Sequence, residues 1–187
     1  MLRNRNIGVL SVTDAGAIVT PSTEGGRDVM QGLARDGRAR LDGVLSPGVL
    51  GLLLRDVADA TLEWRPDTTE DRWFESAALG AESRQAVREA LLAVGVDADP
   101  ARFLRHEPGG RGLPAMEGEA RWFVLDLNAD WPSEAGGLLL FEAGDRADGW
   151  TPKPGGLTLF DTGHVPVLSL VAPSASGARL AVWGRLT

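Results

Sequence analysis

The sequence predicts an α+β protein in which helices pack on one face of a small antiparallel double sheet. Three observations carry this expectation. Helical apolar spacing is confined to the first hundred residues. After Pro100 the chain breaks into short apolar runs of strand length, separated by Gly, Pro and Asp. The 187 residues are the size of one domain, or of one domain with an extra lobe, and can bury a sizeable core.

The elements follow in chain order. Residues 1–23 read as a loose arm, with a peripheral strand around Ile7 to Val12. A short helix is expected from about Glu24 to Arg35, then a strand and turn in "RARLDGVLS". "SPGVLGLLLRDVADATLEW" is the strongest helical segment. Ser46 suits an N-cap and Pro47 the first helical position, and Leu50, Leu53, Leu54 and Val57 share a face. "ESRQAVREALLAVGV" predicts another helix, ended near Gly95, with Val87, Leu91 and Leu92 on one face. Trp64 and Trp73 flank "RPDTTEDR", which reads as a charged loop. Six runs then read as strands: "RFLRHE", "RWFVLDLN", "GGLLLFEA", "GLTLFDT", "HVPVLSLV" and "ARLAVWGRL". Residues 1–100 are thus an arm and supporting helices, and 101–187 a β core, within a single domain.

Composition narrows the function. The chain has no Cys, which excludes thiolate catalysis, thiolate metal ligands and disulfides. It has two His, His106 and His164, so any histidine metal site is nearly enumerated. Tyr is absent and Trp occurs six times. The net charge of −7 argues against nucleic acid or an anionic membrane as partner. No apolar run approaches the roughly 20 residues of a membrane span. The expected setting is the cytoplasm, the expected partner a small-molecule substrate, and a homodimer is compatible with the sequence. No P-loop, dinucleotide fingerprint or nucleophile elbow occurs.

The segment "RWFVLDLNADWPSEAGGLLLFEAGDRADGWTPKPGGLTLFDTGHVPV" carries an ordered set of motifs: a strand ending in Leu127-Asn128, Asp130-Trp131, Gly136-Gly137 before a strand, a Pro-rich turn, and "LTLF" leading to His164. An Arg and a Trp, Arg179 and Trp183, follow on the last run. This order resembles the prolyl-4-hydroxylase-like branch of the 2-oxoglutarate and Fe(II)-dependent dioxygenases, over about residues 101 to 185. The resemblance implies a double-stranded β-helix (jelly roll, cupin-like) with the helices on one face, an Fe(II) held by two His and a carboxylate, and 2-oxoglutarate on the open positions.

Carried over residue by residue, His164 matches the distal His of the triad, although its interval to Arg179 is longer than the family's. Arg179 matches the cation for the far carboxylate of 2-oxoglutarate, a role suited to a planar guanidinium. Strand alternation puts Arg179, Ala181 and Trp183 on one face, so Trp183 would share the cofactor cavity, and Leu180 and Val182 on the other. The remaining metal ligands have two placements. In the preferred one, Ala115-Met116-Glu117 falls on His-x-Asp, so Glu117 survives as a ligand and the histidine is lost. In the other, His106 is the first His, with Pro108 at the third position and Glu107 or Glu117 reaching in. Asp126 stands near a position where related members often carry an aromatic hydroxyl, and its charge would repel a dianionic co-substrate.

Three functions remain, the third being a carbohydrate- or peptide-binding jelly roll that uses exposed Trp. One is a 2-oxoglutarate/Fe(II) oxygenase-like oxidoreductase with an altered metal site, hydroxylating a small or amino-acid-like molecule. The alternative is a metal-free jelly-roll homologue, without cofactor, that acts as a metal-independent enzyme or a binding or regulatory module. Each residue also has an ordinary reading: His164 as a turn residue, Arg179 in a salt bridge, Glu117 as a solvated acid, His106 as a polar strand residue, and Trp64 and Trp73 as core rather than a substrate lid.

Overall fold

A computed structural model of the protein describes residues 23–59, 61–116 and 118–187. The arm expected around Ile7 to Val12 lies outside them. Helices α1 (Thr23–Asp36), α2 (Pro47–Ala58) and α3 (Ala81–Ala93) alternate with strands β1 (Arg38–Leu41), β2 (Arg65–Thr68) and β3 (Trp73–Ala78). Strands β4 (Ala98–His106), β5 (Arg121–Asp126), β6 (Leu139–Ala143), β7 (Arg146–Trp150), β8 (Leu157–Asp161), β9 (Val167–Leu168) and β10 (Arg179–Leu186) complete the chain, with a 3-10 turn at Ser133–Ala135.

Local chemistry explains the helix boundaries. At the start of α2, the Val49 amide donates to Ser46 Oγ at 3.3 Å, satisfying one of the donors a helix N-terminus leaves free, and Pro47 needs no amide partner there. Helices α2 and α3 are tied by a hydrogen bond from the buried Ser83 hydroxyl to Asp56.

The strands form two antiparallel sheets. The larger has the order β1-β8-β5-β10-β4-β3-β2, the smaller β7-β6-β9. Alternation divides the large sheet between two environments. Phe103, Phe123, Leu125, Leu157, Leu159 and Val182 face the helices and pack with Val29, Leu33, Leu53, Val87 and Leu91. Phe74, Leu104, Val124, Phe160, Ala181 and Trp183 face the other way and pack with Leu139, Phe141 and Leu168 of the small sheet. Both faces of the central strands are therefore buried. That is why β5 and β8 read as continuous apolar runs rather than alternating ones.

The structure corrects the reading of three segments. "RPDTTEDR" is a hairpin, not a loop: β2 pairs with β3 from Arg65↔Ser76 to Thr68↔Trp73. Strand β2 sits at the sheet edge with a Pro and mostly exposed side chains, so it lacks the period-2 apolar signal. Strand β7 was also not expected, because Trp150 is its one aromatic residue and its side chains carry little apolar content. "HVPVLSLV" supplies only two strand residues, β9, after Pro166. The large sheet also recruits β1, β2 and β3, all from before residue 100.

A bulge in β10 opposite β4 lies between Trp183 and Gly184. A Cβ on Gly184 would overlap the Phe123 ring and the Asp99 carbonyl. Gly184→Ala is expected to destabilise the fold by about 1–3 kcal/mol, as overpacking of a filled core does. The check is a thermal melt, with the midpoint lowered by at least about 2 °C; an unchanged midpoint would show that the sheet relaxes freely around this position.

Candidate functional site

Four polar side chains point into the space between the sheets from neighbouring strands: His106 at the end of β4, Asp126 at the end of β5, Thr158 on β8 and Arg179 at the start of β10. All four are buried, in a setting where an unpaired polar group is costly. Register brings them together. Arg179 is level with His106, and Ala181, two residues on, is level with Asp126. Because Val124 and Ala181 face inward, Asp126 and Arg179 must do so too.

The two charges pair. Arg179 Nη2 donates to Asp126 Oδ1 at 2.6 Å, with the side chains 0% and 1% exposed. Arg40 Nη2 lies 3.9 Å from Asp126 Oδ2 and donates to the Thr151 carbonyl at 2.8 Å. Arg40 Nε binds Asp42 at 2.9 Å, and Lys153 binds the other oxygen of Asp42 at 2.7 Å. A row of alternating charge thus runs from the interior to the surface. Burial pushes the Asp126 carboxyl up and the Arg179 guanidinium down, and their attraction opposes both shifts. Gly137 closes over Arg179. Its φ is +66°, and a Cβ there would stand 2.8 Å from Arg179 Cδ.

His106 Nε2 lies 2.8 Å from the Gly112 carbonyl. A carbonyl only accepts, so Nε2 carries the proton and Nδ1 is left as an acceptor. The ring also packs against Phe74 at 5.4 Å. Burial, then the neighbouring Arg179 charge, push its pKa down to about 3, against a smaller opposing effect of the Gly112 bond, so the imidazole is neutral at pH 7. His106 Nδ1, Thr158 Oγ1 and Arg179 Nε and Nη1 are buried with no hydrogen-bond partner among the described residues.

Beyond this cluster the inter-sheet space is aromatic. Trp183 stacks on Trp122 with centroids 5.3 Å apart and lies 5.9 Å from Phe160. Phe141 contacts Trp150 at 4.6 Å, and the Arg38 guanidinium lies 5.0 Å over the Phe141 ring. Trp183 faces the same interior as Arg179, but its ring is packed among these side chains. Trp64 carries the Arg105 guanidinium at 4.2 Å, and Arg105 is held by Glu75. Trp73 is 55% exposed.

His164 is elsewhere. It lies in the turn after β8, 49% exposed, with Nδ1 2.9 Å from Asp161 Oδ1 and its ring against Gly37. The same Asp161 oxygen accepts from the Gly163 amide at 3.0 Å, which makes this a local Asp-stabilised turn. Phe160, one residue before Asp161, is level with Trp122, and Trp122 with Arg185. Arg185 is six residue steps from Arg179, or about 20 Å at roughly 3.3 Å per residue. Asp161 also continues the face of Leu157 and Leu159, toward the helices. This corrects the expectation that His164 and Arg179 share one cavity: the turn following β8 leaves from the far end of the sheet.

Of the other expected ligands, Glu117 lies outside the described residues. His106 is the one histidine beside Arg179. Two nitrogens that share an ion at about 2.1 Å each stand no more than about 4 Å apart; His106 and His164 are separated by most of the sheet. Among the described residues no group of three His, Asp or Glu side chains could hold a metal ion. The donor set as placed therefore does not fit a two-histidine iron centre. Sequence reasoning missed Arg40 and Thr158, and it treated Asp126 only as a repulsive charge. The parity of Asp126 with Val124, and of Arg179 with Ala181, was the available signal for the pair.

No family model matches the chain, and no curated protein matches it by sequence. Solved structures do. A Pseudomonas putida prolyl-4-hydroxylase superposes with a TM-score of 0.66 at 22% identity, over 86% of this chain and 97% of that one. A Trichoplax adhaerens prolyl hydroxylase, solved with a hypoxia inducible factor oxygen degradation domain peptide fragment, gives 0.63 at 15% identity, over 88% and 89%. A non-heme α-ketoglutarate dependent epimerase of nogalamycin biosynthesis gives 0.63 at 15%, over 87% and 82%. The fold is that of the prolyl hydroxylases and 2-oxoglutarate oxygenases, as the motif order implied.

The buried His106 makes stability depend on pH. Its folded pKa is lowered below the unfolded value, so the folded state holds fewer protons in acid. Its contribution is fully retained above about pH 6.5 and is lost as pH falls toward about 3, by roughly 1.4 kcal/mol per pH unit within that window. Asp126, shifted upward, works in the opposite sense, so the comparison must be between proteins. His106→Gln keeps a donor for Gly112 and is expected to show a flatter stability curve from pH 6.5 to 4 in urea titrations. Parallel curves for the two proteins would refute the assignment.

Proposed function

We propose that this chain is a metal-independent binding or regulatory module built on the 2-oxoglutarate oxygenase fold, its two sheets closing as a double-stranded β-helix. The observation that carries this reading is the separation of the two histidines, His106 beside Arg179 in the interior and His164 on the surface at the far end of the sheet. The ion pair of Arg179 with Asp126 points the same way, since the cation suited to a co-substrate carboxylate already has a carboxylate. A small-molecule partner and a cytoplasmic setting belong to the same reading. The net charge of −7 supports partners other than nucleic acid or anionic membrane, and no helix among the described residues is long and apolar enough to cross a membrane.

The second reading is an oxidoreductase with an altered metal site that oxidises a small or amino-acid-like substrate. What favours it is His106 Nδ1, a buried acceptor nitrogen without a partner among the described residues, one strand away from Arg179. In that reading His106 and Glu117 would hold Fe(II), Arg179 would hold 2-oxoglutarate, and the metal would supply oxygen activation.

Anaerobic dialysis against Fe(II), followed by an assay for conversion of 2-oxoglutarate to succinate, separates the two. The first reading expects no retained equivalent of iron and no succinate above the protein-free control. One equivalent of iron with protein-dependent succinate, abolished by His106→Ala, would establish the second reading instead.

A further inference from the structure

The Arg179 guanidinium is fully buried, and one protein carboxylate neutralises it at close range. A cation without a counterion is not tolerated in such a place, so a carboxylate oxygen is required beside Nη2 whatever molecule supplies it. Among the described residues, two further donors of the same guanidinium, Nε and Nη1, have no hydrogen-bond partner, and neither do Thr158 Oγ1 and His106 Nδ1 around them. The group is thus under-satisfied on the sides Asp126 does not reach. Arg40 stands behind Asp126 and leads through Asp42 to the exposed Lys153 ammonium, so a row of charged side chains links the buried pair to the surface.

We infer that Asp126 is an internal ligand of Arg179: it occupies the carboxylate-binding position of the interior, excludes free carboxylates from the wild-type protein, and thereby determines what the site can accept. The inference rests on the metal-independent reading of this same cavity. Replacing Asp126 by Ala removes one carboxylate's volume and leaves the buried charge uncompensated. The site then takes a small monocarboxylate, formate or acetate, in the position the side chain held. Cavities of this origin bind molecules that match the deleted atoms, and a ligand bound by the folded state alone raises its stability.

The test is chemical rescue. Asp126→Ala is purified and melted in sodium chloride and in equal ionic strengths of formate and acetate, beside the wild type and the uncharged double variant Asp126→Asn/Arg179→Gln. The expected result is a saturable rise of about 5 °C or more in Asp126→Ala with formate or acetate, and no rise beyond that of chloride in the other two proteins. If Asp126→Ala is recovered folded only from carboxylate buffers, that recovery is the same result. Equal behaviour in all three salts, or failure to fold in every one while the double variant folds, overturns the proposal. So does a wild-type protein stabilised by acetate as strongly as the variant. These outcomes are independent of the iron experiment: a protein that neither retains iron nor shows rescue loses this inference alone, whereas one that turns over 2-oxoglutarate loses the metal-independent reading.

Discussion

The rest of the interior is arranged around the Arg179–Asp126 ion pair. Each charge costs several kcal/mol to remove from water, and only a close, well-oriented partner offsets that cost. At 2.6 Å the pair is close enough, but it constrains its surroundings. Strands β5 and β10 must stay in register, since a one-residue slip would turn Asp126 or Arg179 toward the helices. The backbone over Arg179 must come close enough to exclude a Cβ, which is why a glycine stands at position 137. The neighbouring imidazole is neutral, because burial and then the Arg179 charge disfavour its protonation.

The large sheet supports this by burying both faces. On one side three helices pack against Phe123, Leu125, Leu159 and Val182; on the other the small sheet packs with Phe160, Ala181 and Trp183. Such a sheet has little freedom to tilt or slide, so groups at its end are held in fixed relation. The aromatic cluster around Trp183 fills the far part of the inter-sheet space, and the polar cluster is confined to the end where β4 and β5 stop and β10 begins. The polar end is closed by the protein's own charges.

The helices were legible because their signals are local: Ser46, Pro47 and the spacing of Leu50, Leu53 and Val57 act within a few turns. After Pro100, β5, β6, β8 and β10 were legible as apolar runs while β7 was not, and alternation along β10 correctly grouped Arg179 with Ala181 and Trp183. The hairpin of β2 and β3 was hidden because an exposed edge strand with Pro66 needs no apolar pattern. His164 misled because a histidine following "LTLF" satisfies the motif order wherever the following turn points. The long interval to Arg179 was the warning; His164 itself closes a turn anchored by Asp161, just before that interval, and the turn holds its ring at the surface.

By itself the sequence determined the three helices, the strands that carry apolar runs and the absence of thiol chemistry, and its order of motifs pointed to the fold that the superposed structures show. It also determined which side chains on a given strand share a face, since that follows from the two-residue repeat of extended backbone. Only the tertiary structure decided which of those faces meet. The partner of Arg179 lies 53 residues away along the chain, and Lys153, one of the two partners of Asp42, is 111 residues from it. Contacts at such separations depend on the register of several strands at once, and no local spacing encodes it. The physical reason is that charge pairing acts through space at a few ångströms, whereas the patterns readable in a sequence act along the backbone over a few residues.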